Sequence, residues 1–201
     1  PLDGTEIPAT LQDSLMARLD RLSPAKAVAQ FGAVIGREFD HSLLRIISGI
    51  RPDALAEGLG QLLSAGLILS RGASPDTTYI FKHALIQDAA YASLLRRPRQ
   101  EVHGRIAAAL IGRSPGERPE LIAHHLELAG RPGEAAEWLE SAGDRAAAAS
   151  ATREAIDFWR RALVSLTEEA PHDRQRIRIR LMQKLSSALT HIEGYGSAAA
   201  F

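Results

Sequence analysis

The sequence predicts a mainly α fold: a winged helix-turn-helix domain with a small β-hairpin, followed by antiparallel helical pairs. Alanine and leucine supply most of the apolar side chains, and aromatic residues make up 5% of the chain, a composition that favours helix over sheet. Apolar residues recur at the three- and four-residue spacing of a helix face over most of the 201 residues. Two short stretches, 67–71 and 78–82, predict strands instead, and the second of them is rich in β-branched and aromatic residues.

The first part of the chain predicts four helices before these strands, over residues 10–22, 24–35, 40–48 and 52–65. Asp40 is expected to cap the third helix, and Gly66 is expected to end the fourth. The loop between the strands, GASPDT, consists of turn-forming residues, so the strands are expected to form a hairpin. Three helices followed by a hairpin are typical of a winged helix-turn-helix domain, which we assign to residues 1–95 together with the leading helix.

The second strand is expected to run directly into a helix over residues 83–95, with His83 at the junction. This helix is expected to be largely buried, because its apolar residues are too many for a narrow stripe: Leu85, Ile86, Ala89, Ala90, Leu94 and Leu95. We regard the stretch 78–95 as the centre around which the domain is organised.

The rest of the chain predicts helices over 97–111, 120–129, 133–150, 152–166 and 173–192. Ala155, Trp159 and Ala162 have the small–aromatic–small spacing of the second helix of a tetratricopeptide repeat. The matching positions of the first helix hold small or apolar residues: Leu139, Ala142 and Gly143. We therefore divide this part into connecting helices, 96–130, and truncated tetratricopeptide-like repeats, 131–201.

Composition narrows the classes of function. Lys plus Arg and Asp plus Glu number 24 each, so no net charge attracts the chain to nucleic acid or to an anionic membrane. The chain has no cysteine, and we find neither a signal-peptide pattern nor an apolar run of the ~18 residues that a membrane span needs. These features predict a cytoplasmic protein without a membrane partner. The abrupt ends, PLDGTEIPAT and SAAAF, lead us to expect a fragment of a longer protein.

Motifs that carry catalysis or bind metals are missing from the sequence. It contains neither G-x-x-x-x-G-K-[ST] nor a G-x-G-x-x-G that follows a strand and opens a helix. None of its seven histidines has a second histidine four residues away, and no serine, histidine and aspartate stand in a nucleophile motif. We therefore predict no catalytic residue and no metal ligand in this chain, and we expect it not to be an enzyme.

Two binding hypotheses remain open on the residues. A winged helix invites DNA binding, but the predicted reader helix over 52–65 exposes Asp53 and Glu57 where phosphate contacts call for cations. The arginines at alternate positions between Arg174 and Arg180 spread around a helix, which favours a solvated face.

The second hypothesis is phosphate binding by His83. This residue stands where a helix N-terminus attracts anions, so its imidazole is a candidate hydrogen-bond donor to a phosphate group. The alternative is a histidine that caps the turn or packs against it, and the residues alone favour this alternative.

Five segments resemble, in this order, one protein family: IPATLQDSLMARLDRL, AKAVAQFGAVIGREFDHSLL, YIFKHALIQDAAYASLL, AHHLELAG and EAAEWLESAGDRAAAASATREAI. The family is that of the STAND-class regulatory ATPases, in the branch linked to bacterial class III adenylate or guanylate cyclases, and the resemblance covers residues 7 to about 166. It implies a P-loop core upstream, with ATP or ADP and Mg²⁺ bound there and no cofactor in this chain. It also implies that His83, in Phe81-Lys82-His83, contacts the phosphate of bound ADP.

The resulting hypothesis is a non-catalytic regulatory fragment of a signal-transduction ATPase. Its winged helix senses the nucleotide state of the upstream NTPase domain of the same chain, and its helical repeats bind a protein partner. The alternative is a DNA-binding transcription regulator of the maltose-regulator type, against which the acidic reader helix argues. We also expect self-association through residues 173–201, because a truncated repeat array leaves an apolar end uncovered.

Overall fold

A computed structural model describes residues 17, 19, 25–73, 77–113, 116–166 and 172–193 of the chain. Ala17 and Leu19 are helical, and the rest of the helix predicted over residues 10–22 lies outside the described residues. The chain divides into two compact units, one up to Ala109 and the other from Leu110. The three-part division predicted from the sequence stays a prediction.

The first unit has the predicted mainly α fold with a small antiparallel sheet. Its helices are α1 (Ala25–Ile35), α2 (His41–Ser48), α3 (Pro52–Ser64) and α4 (Ala84–Ala92), and α5 (Arg96–Arg113) begins here. Its strands are β1 (Glu38–Asp40), β2 (Ile68–Arg71) and β3 (Thr78–Phe81). The sheet order is β1-β3-β2, and both strand pairs are antiparallel.

Strand β1 was not predicted from the sequence. It has three residues, Glu38-Phe39-Asp40, and pairs with β3 from Glu38 opposite Ile80 to Asp40 opposite Thr78. Such a short strand carries no periodicity of its own, so the tertiary pairing with β3 forms it. The Asp40 side chain performs its predicted role, because its Oδ1 accepts the Leu43 N–H at 2.7 Å as the N-cap of α2.

Aromatic rings join the sheet to the first helix. The Phe39 ring lies 5.6 Å from that of Tyr79 and 5.4 Å from that of Phe81, measured between centroids. Gly32 of α1 faces Phe39, and a Cβ atom at Gly32 would approach the Phe39 Cζ to 2.8 Å. A larger residue there would push α1 off the sheet, so the glycine sets the distance between helix and strand.

The prediction that the helix after β3 is largely buried was wrong. In α4 the buried residues are Ile86, Ala89 and Ala90, which form an ordinary one-sided stripe. The helix ends at Ala92, so Leu95 lies beyond it and is 77% exposed. Leu63 of α3 is 37% exposed.

The second unit consists of antiparallel helices, as predicted: α6 (Pro119–Leu128), α7 (Pro132–Ala148), α8 (Thr152–Ser165) and α9 (His172–Glu193). Helices α7 and α8 form a close pair. The small and apolar residues that suggested a tetratricopeptide-like repeat are buried: Leu139, Ala142, Gly143, Ala155, Trp159 and Ala162. The Trp159 indole lies directly on Gly143, and its Nε1 donates to Asp144 Oδ1 at 3.2 Å.

No helix within the described ranges is both long enough and apolar enough to cross a membrane.

Candidate functional site

His83 lies between β3 and α4. Phe81, the last residue of β3, is completely buried, and the Lys82 N–H donates to the Leu67 carbonyl at 3.1 Å. These contacts fix the backbone that enters the junction. His83 itself is the N-cap residue of α4, with extended backbone (φ −131°, ψ 140°), and its carbonyl accepts the Ile86 N–H at 3.1 Å.

The imidazole of His83 is exposed and makes no side-chain capping bond. The first turn of α4 contains no acidic residue, so no carboxylate in that turn repels an anion. An exposed imidazole at a helix N-terminus has both ring nitrogens available to a ligand. The role of His83 as a phosphate contact stays a prediction.

Three other histidines contact neighbouring side chains within the fold. His103 is 2% exposed, and its Nε2 lies 3.1 Å from the Tyr91 hydroxyl. His124 and His125 are neighbours on α6 with ring centroids 5.5 Å apart, and His125 is buried. Among the described residues, no three His, Cys, Asp or Glu side chains are grouped closely enough to hold a metal ion.

The exposed face of α3, where a winged helix would read DNA, is acidic as predicted. Asp53 and Glu57 are exposed on it. Arg51, the cation at its start, binds Asp53 with a nitrogen–oxygen distance of 2.5 Å. The Arg51 hydrogen bond is the main reason that the pKa of Asp53 is lowered. Arg51 therefore offers little uncompensated charge to a phosphate.

A charged cluster on α7 and α9 was missed by the sequence reasoning. The Glu140 side chain is 8% exposed and accepts two hydrogen bonds from Arg180, at 3.0 and 2.8 Å, and one from Lys184 at 2.8 Å. Lys184 also contacts both carboxylate oxygens of Asp144, at 2.6 and 2.7 Å. We call these four residues the Glu140 cluster. The one available signal was the four-residue spacing of Arg176, Arg180 and Lys184, which places three cations on one side of a helix.

The Glu140 cluster is held by charge as well as by geometry. Burial raises the pKa of Glu140, but the hydrogen bonds and charges of Arg180 and Lys184 outweigh it and lower that pKa overall. Burial lowers the pKa of Lys184, but Asp144 and Glu140 outweigh it and raise that pKa overall. Glu140 and Lys184 are thus both charged at neutral pH. The predicted solvated face is confirmed for the arginine side chains that the structure describes, since Arg176, Arg178 and Arg180 are all exposed, although Arg180 also binds Glu140. The side chain of Arg174 lies outside the described residues.

Comparison with known proteins gives one distant relative. No family model matches the sequence, and no solved structure matches it. A protein of Rhizobium meliloti (strain 1021), named "Uncharacterized protein R02095", is 31% identical over 159 residues, which are 77% of this chain and 16% of that protein. The chain therefore spans about a sixth of the length of this relative.

Proposed function

We propose that this chain is a non-catalytic regulatory segment of a STAND-class signal-transduction ATPase. Its winged helix senses the nucleotide held by an upstream NTPase core, and its helical pairs bind a protein partner. ATP or ADP with Mg²⁺ belongs to that core, not to this segment. The long relative is consistent with a role inside a larger protein, because the matched region forms a small part of it.

The observation that carries the nucleotide-sensing proposal is the exposed His83 imidazole at the hydrogen-bonded junction of β3 and α4. Its backbone is held by the buried Phe81 on one side and by the first turn of α4 on the other. Because the backbone is already ordered, binding of a ligand would require only the side chain of His83 to be ordered. A phosphate contact at this position would transmit the presence of ADP directly to β3 and α4.

The test is ADP binding to the intact protein that contains this segment and its upstream core. We expect His83→Ala to weaken ADP binding about tenfold, the size of a lost hydrogen bond to a charged group, and to change ATP binding much less. Isothermal titration calorimetry measures both affinities. The chain alone is expected to bind neither nucleotide.

His124→Ala is the matched control, because His124 is equally an exposed histidine but lies on α6. Equal ADP affinity in the His83 and control variants would refute the nucleotide-sensing role. Saturable ADP binding by this chain alone, abolished by His83→Ala, would show instead that the pocket is built from these residues.

The alternative function is DNA binding, which the winged-helix topology favours and the acidic α3 opposes. A reader helix of this kind should give duplex DNA affinity that falls steeply with salt. We expect this chain not to retard duplex DNA in an electrophoretic mobility-shift assay at low salt. Salt-dependent retardation that is lost when Arg51 is replaced would favour the transcription-regulator alternative.

A further inference from the structure

A cavity of about 260 Å³ lies within the second unit, among α6, α7 and α8. One wall is apolar and consists of the Phe158 ring and of small side chains: Ala142, Ala146, Ala149 and Ala151. Two carboxylates, Glu120 and Glu154, and the guanidinium of Arg145 complete the lining. Small residues leave the space open, and the aromatic ring gives it a flat side.

The charges around this cavity do not cancel. Arg145 donates to Glu120 Oε2 at 3.0 Å, and its other terminal nitrogen donates to the Glu117 carbonyl oxygen. Glu154 is exposed, and none of the charged residues in the described ranges forms an ion pair with it. The lining therefore presents one uncompensated carboxylate beside an apolar wall.

We propose that this cavity binds a lysine side chain of a partner polypeptide. The methylene stem of lysine matches the alanines and Phe158, and its ammonium group reaches Glu154 as a charge-assisted hydrogen bond. A neutral apolar side chain would leave Glu154 without a partner, and an acidic one would be repelled. The inference rests on the proposed partner-binding function and names the chemistry of that partner.

If the proposal is right, loss of the Arg145 guanidinium should strengthen lysine binding. This guanidinium already donates a hydrogen bond to Glu120, so it competes with an incoming cation for this carboxylate. Removal of the guanidinium would leave two free carboxylates and a larger space. A variant without it should bind lysine more tightly, which a damaged fold cannot imitate.

The test uses the ¹⁵N-labelled chain and three blocked peptides, Gly-Gly-Xaa-Gly-Gly, in which Xaa is lysine, acetyl-lysine or norleucine. We expect the lysine peptide to shift the amide resonances of Ala146, Ala149 and Ala151 saturably at millimolar concentration, with weaker binding in high salt. The two neutral peptides should leave them unchanged. Equal effects of the three peptides, or shifts that lie elsewhere, would overturn the proposal.

Two substitutions and one control sharpen the result. Glu154→Gln should weaken lysine-peptide binding about fivefold, as expected for one exposed ion pair, and Arg145→Gln should strengthen it by a similar factor. Glu137→Gln is the control, because Glu137 is an exposed carboxylate of α7 outside the lining. An equal loss of lysine-peptide affinity in Glu137→Gln would show that the peptide is attracted non-specifically by negative charge, and it would refute the proposal. If the lysine peptide does not bind at this cavity, the nucleotide-sensing test of His83 is unaffected.

Discussion

Gly143 shows how one missing side chain determines a helix pair. A Cβ atom at this position would overlap the Nε1 and Cδ1 atoms of Trp159. The indole fills the space that the glycine leaves, and it satisfies its own N–H on Asp144. Because interiors are packed at high density, an added methyl group would have to displace the indole or one of the two helices.

We predict that Gly143→Ala lowers the free energy of unfolding by about 1–3 kcal/mol, the usual cost of overpacking, despite the better helix propensity of alanine. Urea unfolding followed by circular dichroism measures the change. Gly112→Ala is the control, since Gly112 is helical and has no atom within 4 Å of a built Cβ. A neutral or stabilising Gly143→Ala would contradict the close packing described above.

At the scale of elements, α9 is attached to the α7–α8 pair by two kinds of contact. Its buried face consists of Ile177, Leu181 and Leu185, at a four-residue spacing that suits one side of a helix. Beside this face, Arg180 and Lys184 bind Glu140. The buried apolar face and the ionic contacts thus both join α9 to the α7–α8 pair.

We predict that Glu140→Gln destabilises the chain by about 1–3 kcal/mol at pH 7, because a charged hydrogen-bond acceptor is lost. The pKa of Glu140 is lowered from its ordinary 4.5. Its stabilising effect is therefore complete above that value and disappears as the pH falls through the lowered pKa of the folded state.

Urea unfolding at a series of pH values measures this difference between wild type and variant. The difference should shrink as the solution becomes more acidic than pH 4.5, whereas the exposed Glu137→Gln should show little effect at any pH. A difference that does not depend on pH would mean that Glu140 acts through packing and not through its charge.

At the scale of the whole molecule, each compact unit buries its own core. The first core gathers around Phe39 and Phe81, and the second gathers around Trp159 and Leu181. Helix α9 also presents Ile179 and Met182, each 57% exposed. Large apolar side chains that share one exposed side of a helix favour contact with another molecule.

We predict concentration-dependent self-association through this side of α9. Sedimentation velocity should show a rising average mass as the protein concentration is raised from micromolar to hundreds of micromolar. The double substitution Ile179→Glu and Met182→Glu should abolish the rise, and Val164→Glu, at an 85% exposed position of α8, should not. A monomer throughout this range would refute the prediction.

The sequence was sufficient for the elements whose signal is local. Helix periodicity gave the helices of both units, and the spacing of Ala155, Trp159 and Ala162 anticipated the α7–α8 packing. Strand β1 and the Glu140 cluster could not be found in this way. Both depend on partners about 40 residues away, Ile80 for Glu38 and Arg180 for Glu140, and no local pattern records such a distance. The exposure of His83 likewise depends on where α4 begins and on what packs around it.

The hydrogen bond from Trp159 to Asp144 gives the molecule an optical reporter. Trp159 is one of two tryptophans, and the Lys184 Nζ lies 6.0 Å from its ring centroid. Because Asp144 contacts both the indole and Lys184, movement of α9 would change the charge beside the excited indole and hence its emission wavelength. Replacing Trp138 by phenylalanine would leave one tryptophan, so the attachment of α9 could be followed in real time without a label if the tryptophan alone is excited.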